Sequence, residues 1–175
     1  MKFDVSVFGN HEHDRNLAHL RQMIRYSEFQ WVASNYNTLR GLDTGTNRAK
    51  TFTIVERDGV KVGFIGINTK DTPEQITPGN LDFNYAGKAY SINISDSETR
   101  INRAIRDVKA AGADMVVALI HEGWNANTGG EAVGPLIDYA KSLDVDLVYG
   151  AHSHQTYSSV HEGKLTAMVR NAGAE

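Results

Sequence analysis

An almost uninterrupted apolar run, DMVVALI at residues 114–120, constrains the fold of this chain more than any other segment. A strand of this kind suits a sheet that is buried on both faces, as in proteins whose helices cover a parallel sheet. A second such run, VDLVYG, occupies residues 145–150, and a helical pattern over residues 131–142 separates the two. The chain has 175 residues, which is enough for one domain with a sizeable core. We therefore predict a single α/β domain with a mixed sheet.

Two further helices are predicted from apolar residues that recur with helical spacing. The first covers residues 14–27, and the second precedes Gly112, which is a typical stop signal. Ser95 and Glu98 have the spacing of a capping box at the start of the second helix. The apolar faces consist of Leu17, Leu20 and Ile24 in the first helix and of Ile101, Ala104, Ile105 and Val108 in the second.

The β-rich segments complete the alternation of strands and helices. Single strands are predicted over residues 2–8 and 30–35, and β-hairpins over residues 51–68 and 156–169. Asp58 and Gly59 form a preferred two-residue turn in the first hairpin. Residues 69–97 are rich in Gly, Asn, Asp, Ser and Pro and show little periodicity, so we predict one long loop there.

Charge and composition exclude several classes of partner. The net charge is −3 and no Lys/Arg-dense block occurs, so neither a nucleic-acid polymer nor an anionic membrane is an evident partner. The chain has no cysteine, which excludes disulfides and thiolate metal ligands. No apolar run approaches the roughly 18–20 residues of a membrane span, and MKFDVSVFGN does not have the pattern of a signal peptide.

Polar clusters follow four of the predicted strands at the point where each strand ends. In open α/β sheets ligands bind at this edge, because the carboxyl ends of parallel strands meet there. We therefore expect the clusters to share one rim. The clusters are GNHEHD after strand 2–8, Asn68 after strand 60–67, HEGWN after strand 114–120 and GAHSH after strand 145–150.

The residue types in these clusters suit metal binding. His152 and His154 alternate around Ser153, so that in an extended segment both imidazoles lie on one side, and His121 supplies a further nitrogen. Taken singly, each cluster is read more simply as a polar strand end or a solvated turn, and only their shared rim favours a site. His13, His19 and His161 are assigned no role in binding or catalysis.

His11 and Asp14 have a spacing that suits a hydrogen bond between their side chains rather than joint binding of a metal ion. Asp14 lies three residues after His11, at the start of a predicted helix, from where it can accept a hydrogen bond from the His11 ring. Such a bond fixes the tautomer of the imidazole and raises its basicity.

The segments GNHEHD, ASN, VKVGFIGINTKDTP, VALIHEG and GAHSH together resemble the calcineurin-like metallophosphoesterases, and specifically their 5′-nucleotidase branch. The resemblance implies an α-β-β-α sandwich with mixed sheets and two divalent metal ions, such as zinc or manganese. It implies that Asn10, His121 and His152 bind one ion and that His154 binds the other. His11 then contacts the transferred phosphate with Asp14 as its partner. The implied substrate is a nucleotide or another small phosphate ester, and the implied location is extracellular, cell-wall or periplasmic.

Two motifs of that family, Asp-x-His and Gly-Asp, do not occur before Asn10, and its nucleotidase substrate domain does not follow. Residues 1–175 are therefore expected to form part of a catalytic domain. The ligands present are all neutral, whereas a pair of dications normally needs carboxylates. We expect this chain alone to bind at most one ion and to be nearly inactive. The alternatives are a non-catalytic metal-binding module and a mononuclear hydrolase that uses its histidines.

Overall fold

The computed structural model describes residues 2–42, 45–46, 48–161 and 163–168. Its helices are a 3-10 helix (Asn10–His13), α1 (Leu17–Tyr26), α2 (Thr72–Gln75), α3 (Glu98–Ala110) and α4 (Pro135–Ser142). Its strands are β1 (Val5–Val7), β2 (Gln30–Val32), β3 (Phe52–Arg57), β4 (Val60–Asn68), β5 (Asp82–Tyr85), β6 (Lys88–Ser91), β7 (Met115–His121), β8 (Asn125–Ala126), β9 (Ala132–Val133), β10 (Leu147–Gly150), β11 (Tyr157–His161) and β12 (Lys164–Met168).

A six-stranded mixed sheet in the order β11-β12-β10-β7-β4-β3 forms the centre of the fold. The four inner strands run parallel, and the two outer strands are antiparallel to their neighbours. The apolar run that becomes β7 lies between β4 and β10, as expected for a strand buried on both faces. The register pairs Asn68 at the end of β4 with His121 at the end of β7. The carboxyl ends of the parallel strands therefore meet at one edge, which we call the rim.

Four layers surround two apolar cores. Helices α3 and α4 cover one face of the large sheet, and the short parallel pair β1–β2 packs on the other face against β4 and β7. One core lies between the large sheet and α3 and α4, and the second lies between β1–β2 and α1. Gly66 permits the close approach of the two sheets, because a Cβ there would lie 2.4 Å from the Val32 carbonyl oxygen. The predicted α-β-β-α sandwich with mixed sheets is thus confirmed.

The predicted loop over residues 69–97 is wrong in part, since it contains α2 and the β5–β6 hairpin. The predicted capping box is also wrong. Ser97 is the N-cap residue of α3, and the Ser95 hydroxyl instead accepts a hydrogen bond from Arg100 at 2.9 Å. The helix predicted over residues 131–142 begins only at Pro135, which follows the short strand β9.

The other predicted helices and hairpins are present with shorter bounds. The closing hairpin is formed by β11 and β12, and residue 169, the last of its predicted range, lies outside the described residues. Across the described part of the chain, no helix is long and apolar enough to cross a membrane.

Candidate active site

The Asn10 and His121 side chains meet at the rim. Asn10 begins the 3-10 helix that follows β1, and its Oδ1 lies 3.0 Å from Nε2 of His121 at the end of β7. The chain can turn this closely because residue 9 is glycine, and a Cβ there would lie 2.6 Å from the His121 ring. The Glu12 carboxylate stabilises the turn by accepting the Gly9 N–H at 2.6 Å. Glu12 therefore supports the loop.

The loop after β10 brings His152 to the same place. The ring centroids of His121 and His152 are 4.9 Å apart. His152 and His154 have φ values of 81° and 53°, in the left-handed region that few side chains adopt. The segment is therefore not extended, so the condition under which both rings were expected to share one side is not met. Gly123 allows the loop to pack closely, since a Cβ there would lie 2.4 Å from the Ser153 side chain.

His11 and Asp14 lie beside this cluster, exposed to solvent. Nδ1 of His11 is 2.9 Å from Oδ2 of Asp14, so the hydrogen bond that their spacing predicts is present. The side chain of His11 is 72% exposed and can reach a bound molecule. Asp14 ends the 3-10 helix and does not begin α1, whose N-cap residue is Asn16.

The imidazoles of His121 and His152 are neutral near pH 7. Burial, with smaller contributions from the neighbouring His152, His11 and His154, lowers the pKa of His121 from 6.5 to about 4. Burial also lowers the pKa of His152, again with a smaller contribution from His11 and His154. These contributions show that the four rings are close enough to influence one another. A neutral imidazole keeps a lone pair on nitrogen, which is the form that binds a metal ion.

Behind the rim lies a set of buried polar contacts that the sequence interpretation did not predict. His13 and Asn68 are each only 1% exposed, and both side chains meet the hydroxyl of Tyr36. His13 therefore stabilises the core, and burial lowers its pKa to about 4. Glu122 is also buried, and burial raises its pKa to about 7 while a hydrogen bond to Thr69 lowers it. The pattern ASNY, in which three polar or hydroxyl-bearing residues follow a strand, is the signal that could have indicated these contacts.

The donors at the rim fit one borderline metal ion better than two. Asn10 supplies an amide oxygen, and His121 and His152 supply ring nitrogens, a neutral set that zinc and related ions accept. Among the described residues no group of three His, Cys, Asp or Glu side chains could hold an ion. A second ion would have His154 but no carboxylate from the predicted ligand set to offset its charge.

Comparison with known proteins identifies the family of this chain. Residues 5–166 match the family of bacterial capsule synthesis proteins, PGA_cap. The chain belongs to this family. Proteins named as 5′-nucleotidases and a calcineurin-like phosphoesterase are among the relatives and structural neighbours of this PGA_cap family member. The recognition made from the sequence motifs is therefore confirmed.

Several relatives of this PGA_cap chain define the similarity. It is 26% identical to endonuclease YhcR of Bacillus subtilis over 98% of its length and 14% of the relative. It is 30% identical to the trifunctional nucleotide phosphoesterase YfkN of the same organism, over 91% of this chain and 11% of the relative. Cell wall protein Lmo0130 of Listeria monocytogenes is 28% identical over 99% of this chain and 25% of the relative.

The solved structure of calcineurin-like phosphoesterase YfkN from Bacillus subtilis superposes with a TM-score of 0.72 at 25% identity. The match covers 95% of this chain and 54% of that structure. The chain thus spans between 11% and 25% of the three curated relatives and about half of the YfkN structure.

Proposed function

We propose that this chain carries the histidine-rich part of a phosphoesterase site that hydrolyses small phosphate esters, with nucleotides as the main substrate class. The observation that carries the proposal is the convergence of Asn10, His121 and His152 at the rim, with the His11–Asp14 pair beside them. The nucleotidase and phosphoesterase names of the relatives support the substrate class. In this proposal residues 1–175 form part of a catalytic domain.

Asn10, His121 and His152 would hold one divalent cation, with zinc and manganese as the main candidates. When bound, such an ion polarises a phosphoryl oxygen and lowers the pKa of water. Burial and the neighbouring rings keep His121 neutral, so that its nitrogen stays available for binding near pH 7. His154 lies in the same loop, and by resemblance to the family it would serve a second ion only in a site that further ligands complete.

His11 has the position of a group that acts on the substrate. Its ring is exposed, and Asp14 holds Nδ1 at 2.9 Å, so Nε2 is the nitrogen that faces a bound phosphate. When Nδ1–H donates to the carboxylate, Asp14 fixes the tautomer and stabilises the protonated ring. A protonated His11 would stabilise charge on the phosphate or donate a proton to the leaving oxygen.

Two alternatives differ from each other in turnover. The predicted ligands are neutral, so we propose that the described residues bind one ion and that the chain by itself turns over slowly. A non-catalytic module would bind one ion without turnover, whereas a mononuclear hydrolase would be active with one.

The endonuclease among the relatives adds a polymeric nucleic acid to the substrates that must be compared. The cell-wall relative supports an extracellular or cell-wall location.

Phosphate release tests the proposal. The full-length protein is incubated with a nucleoside 5′-monophosphate, a 2′,3′-cyclic nucleotide, an aryl phosphate and single-stranded DNA, before and after chelation and with zinc or manganese restored. We expect metal-dependent hydrolysis of the nucleotides, reduced about 10²–10⁴-fold in His11→Ala and unchanged in the control His19→Ala. Cleavage of DNA alone, or hydrolysis that chelation does not affect, would refute the proposed function.

A further inference from the structure

The 3-10 helix that carries Asn10 and His11 is held to the protein core by His13. This residue is 1% exposed, whereas His11 on the same helix points into solvent. Nε2 of His13 lies 2.7 Å from the hydroxyl oxygen of Tyr36, in the segment that follows β2. Asn80 also binds this turn, because its side-chain amide donates to the His13 carbonyl oxygen at 3.0 Å. The position of the helix therefore depends on polar groups that lie in the core.

Tyr36 connects this helix to the end of β4. Its hydroxyl oxygen accepts a hydrogen bond from the Asn68 side-chain amide at 2.9 Å. Asn35 binds the same strand end through two hydrogen bonds. Its side-chain amide donates to the Asn68 carbonyl oxygen at 2.7 Å, and its Oδ1 accepts the Asn68 N–H at 3.1 Å. Both asparagines are buried, so each of these bonds replaces a bond to water that folding removes.

Asn68 lies directly beside the strand end that carries His121, one of the candidate metal ligands. It is the register partner of His121 in the neighbouring strand β7. The Asn68 side-chain oxygen also accepts the N–H of Thr69 at 2.8 Å, and the Thr69 side chain in turn bonds to Glu122, which follows His121. One continuous set of buried contacts thus joins the element that carries Asn10 to the element that carries His121.

We infer that Tyr36 is a positioning residue whose hydroxyl sets the placement of the Asn10–His11 turn relative to His121. The inference rests on the proposed metal site and deepens it. A hydroxyl is suited to this task because it can donate to one buried partner and accept from the other at the same time. Tyr36→Phe removes one oxygen and leaves the His13 ring nitrogen and the Asn68 amide without that partner, while the apolar packing of the ring against Phe8 is retained.

The test uses the full-length protein and measures zinc affinity by titration calorimetry, well below the unfolding temperature of each variant. Tyr139→Phe is the matched control, because it also removes a hydroxyl that is hydrogen-bonded, here to Asp96 at 3.0 Å, without contacting the 3-10 helix. We expect Tyr36→Phe to weaken zinc binding about 10–100-fold, the usual effect of losing a group that orients metal ligands. Tyr139→Phe should bind zinc as the wild type does.

A second measurement does not require the variant to fold. Nitrogen-15 NMR spectra of the histidine rings are recorded while zinc is added to the wild type. The His13 Nε2 resonance should shift together with the His121 resonance, although His13 is not a zinc ligand. A folded Tyr36→Phe protein with wild-type zinc affinity, or a His13 resonance that zinc leaves unmoved, would overturn the inference. A wild type that binds no zinc would refute the proposed function itself, which distinguishes the two failures.

Discussion

At the scale of single residues, the buried His13 makes the stability of the protein depend on pH. Its pKa falls from 6.5 to about 4, mainly through burial, with Asp14 opposing the shift. At a pH between these two pKa values, His13 binds a proton in the unfolded chain but not in the folded chain. The free energy of unfolding therefore decreases as the pH falls. The stabilising contribution is complete above about pH 6.5 and is lost towards pH 4, with a maximum of about 3 kcal/mol.

We predict that replacing His13 with Gln reduces this dependence, because Gln can bond to the Tyr36 hydroxyl but does not titrate. Denaturant unfolding at about pH 7.5 and about pH 4.5 should show that the wild type loses more stability than the variant. The comparison with the variant is essential, because Glu122, with a pKa raised to about 7, acts in the opposite direction in the same range. An equal loss of stability in both proteins would show that His13 does not titrate in this way.

At the scale of elements, the close packing of β2 on β4 depends on one missing side chain. A Cβ at Gly66 would meet the Val32 carbonyl oxygen at 2.4 Å and the carbonyl carbon at 2.7 Å, and backbone atoms cannot move aside as the end of a side chain can. We predict that Gly66→Ala lowers the free energy of unfolding by about 1–3 kcal/mol. Gly129→Ala is the control, because the nearest atom there is the exposed Asn127 side-chain oxygen at 3.3 Å and not a buried backbone atom. A stability change of similar size in both variants would contradict this account.

The elements that the sequence predicts well are those whose apolar residues follow one clear period. The faces of α1 and α3 and the run in β7 are of this kind, and each is buried as expected. The β5–β6 hairpin was missed because its four-residue strands lie among turn-forming residues. Its turn residues Ala86 and Gly87 both have positive φ, which a simple count of Gly, Asn and Asp does not distinguish from a loop.

The rim was predictable and its supporting contacts were not, for a physical reason. Strand ends can be read from apolar runs, and parallel order then places their polar neighbours together. The bond between His13 and Tyr36 joins residues 23 positions apart, and no local pattern specifies it. The left-handed backbone at His152 likewise departs from the strand-like alternation that the sequence suggests.

At the scale of the whole molecule, the described residues leave one part of the large sheet exposed. Leu165 in β12 pairs with Val160 in β11 and with Leu147 in β10, so these side chains share a face with Tyr149. Val160 and Leu165 are 64% and 48% exposed, although this is the face on which β1–β2 packs further along the sheet. Contiguous apolar surface of this kind promotes association between molecules.

We predict that the double change Val160→Thr and Leu165→Thr increases the monomer fraction of the 175-residue chain in size-exclusion chromatography, because it removes apolar surface and keeps strand propensity. Val133→Thr alters an exposed valine in β9, outside this face, and should have no effect. Equal elution of the two variants and the wild type would show that the exposed face does not cause association.

The most direct test of the account is the metal content of the full-length protein and of variants at the rim. His121→Ala removes the ring that contacts Asn10 and His152, so elemental analysis after zinc loading should show the loss of one ion per chain. His11→Ala should keep the wild-type metal content and lose turnover, because this ring contacts Asp14 and is placed to reach substrate. The opposite pattern, with metal lost in His11→Ala and retained in His121→Ala, would contradict the assignment of the site.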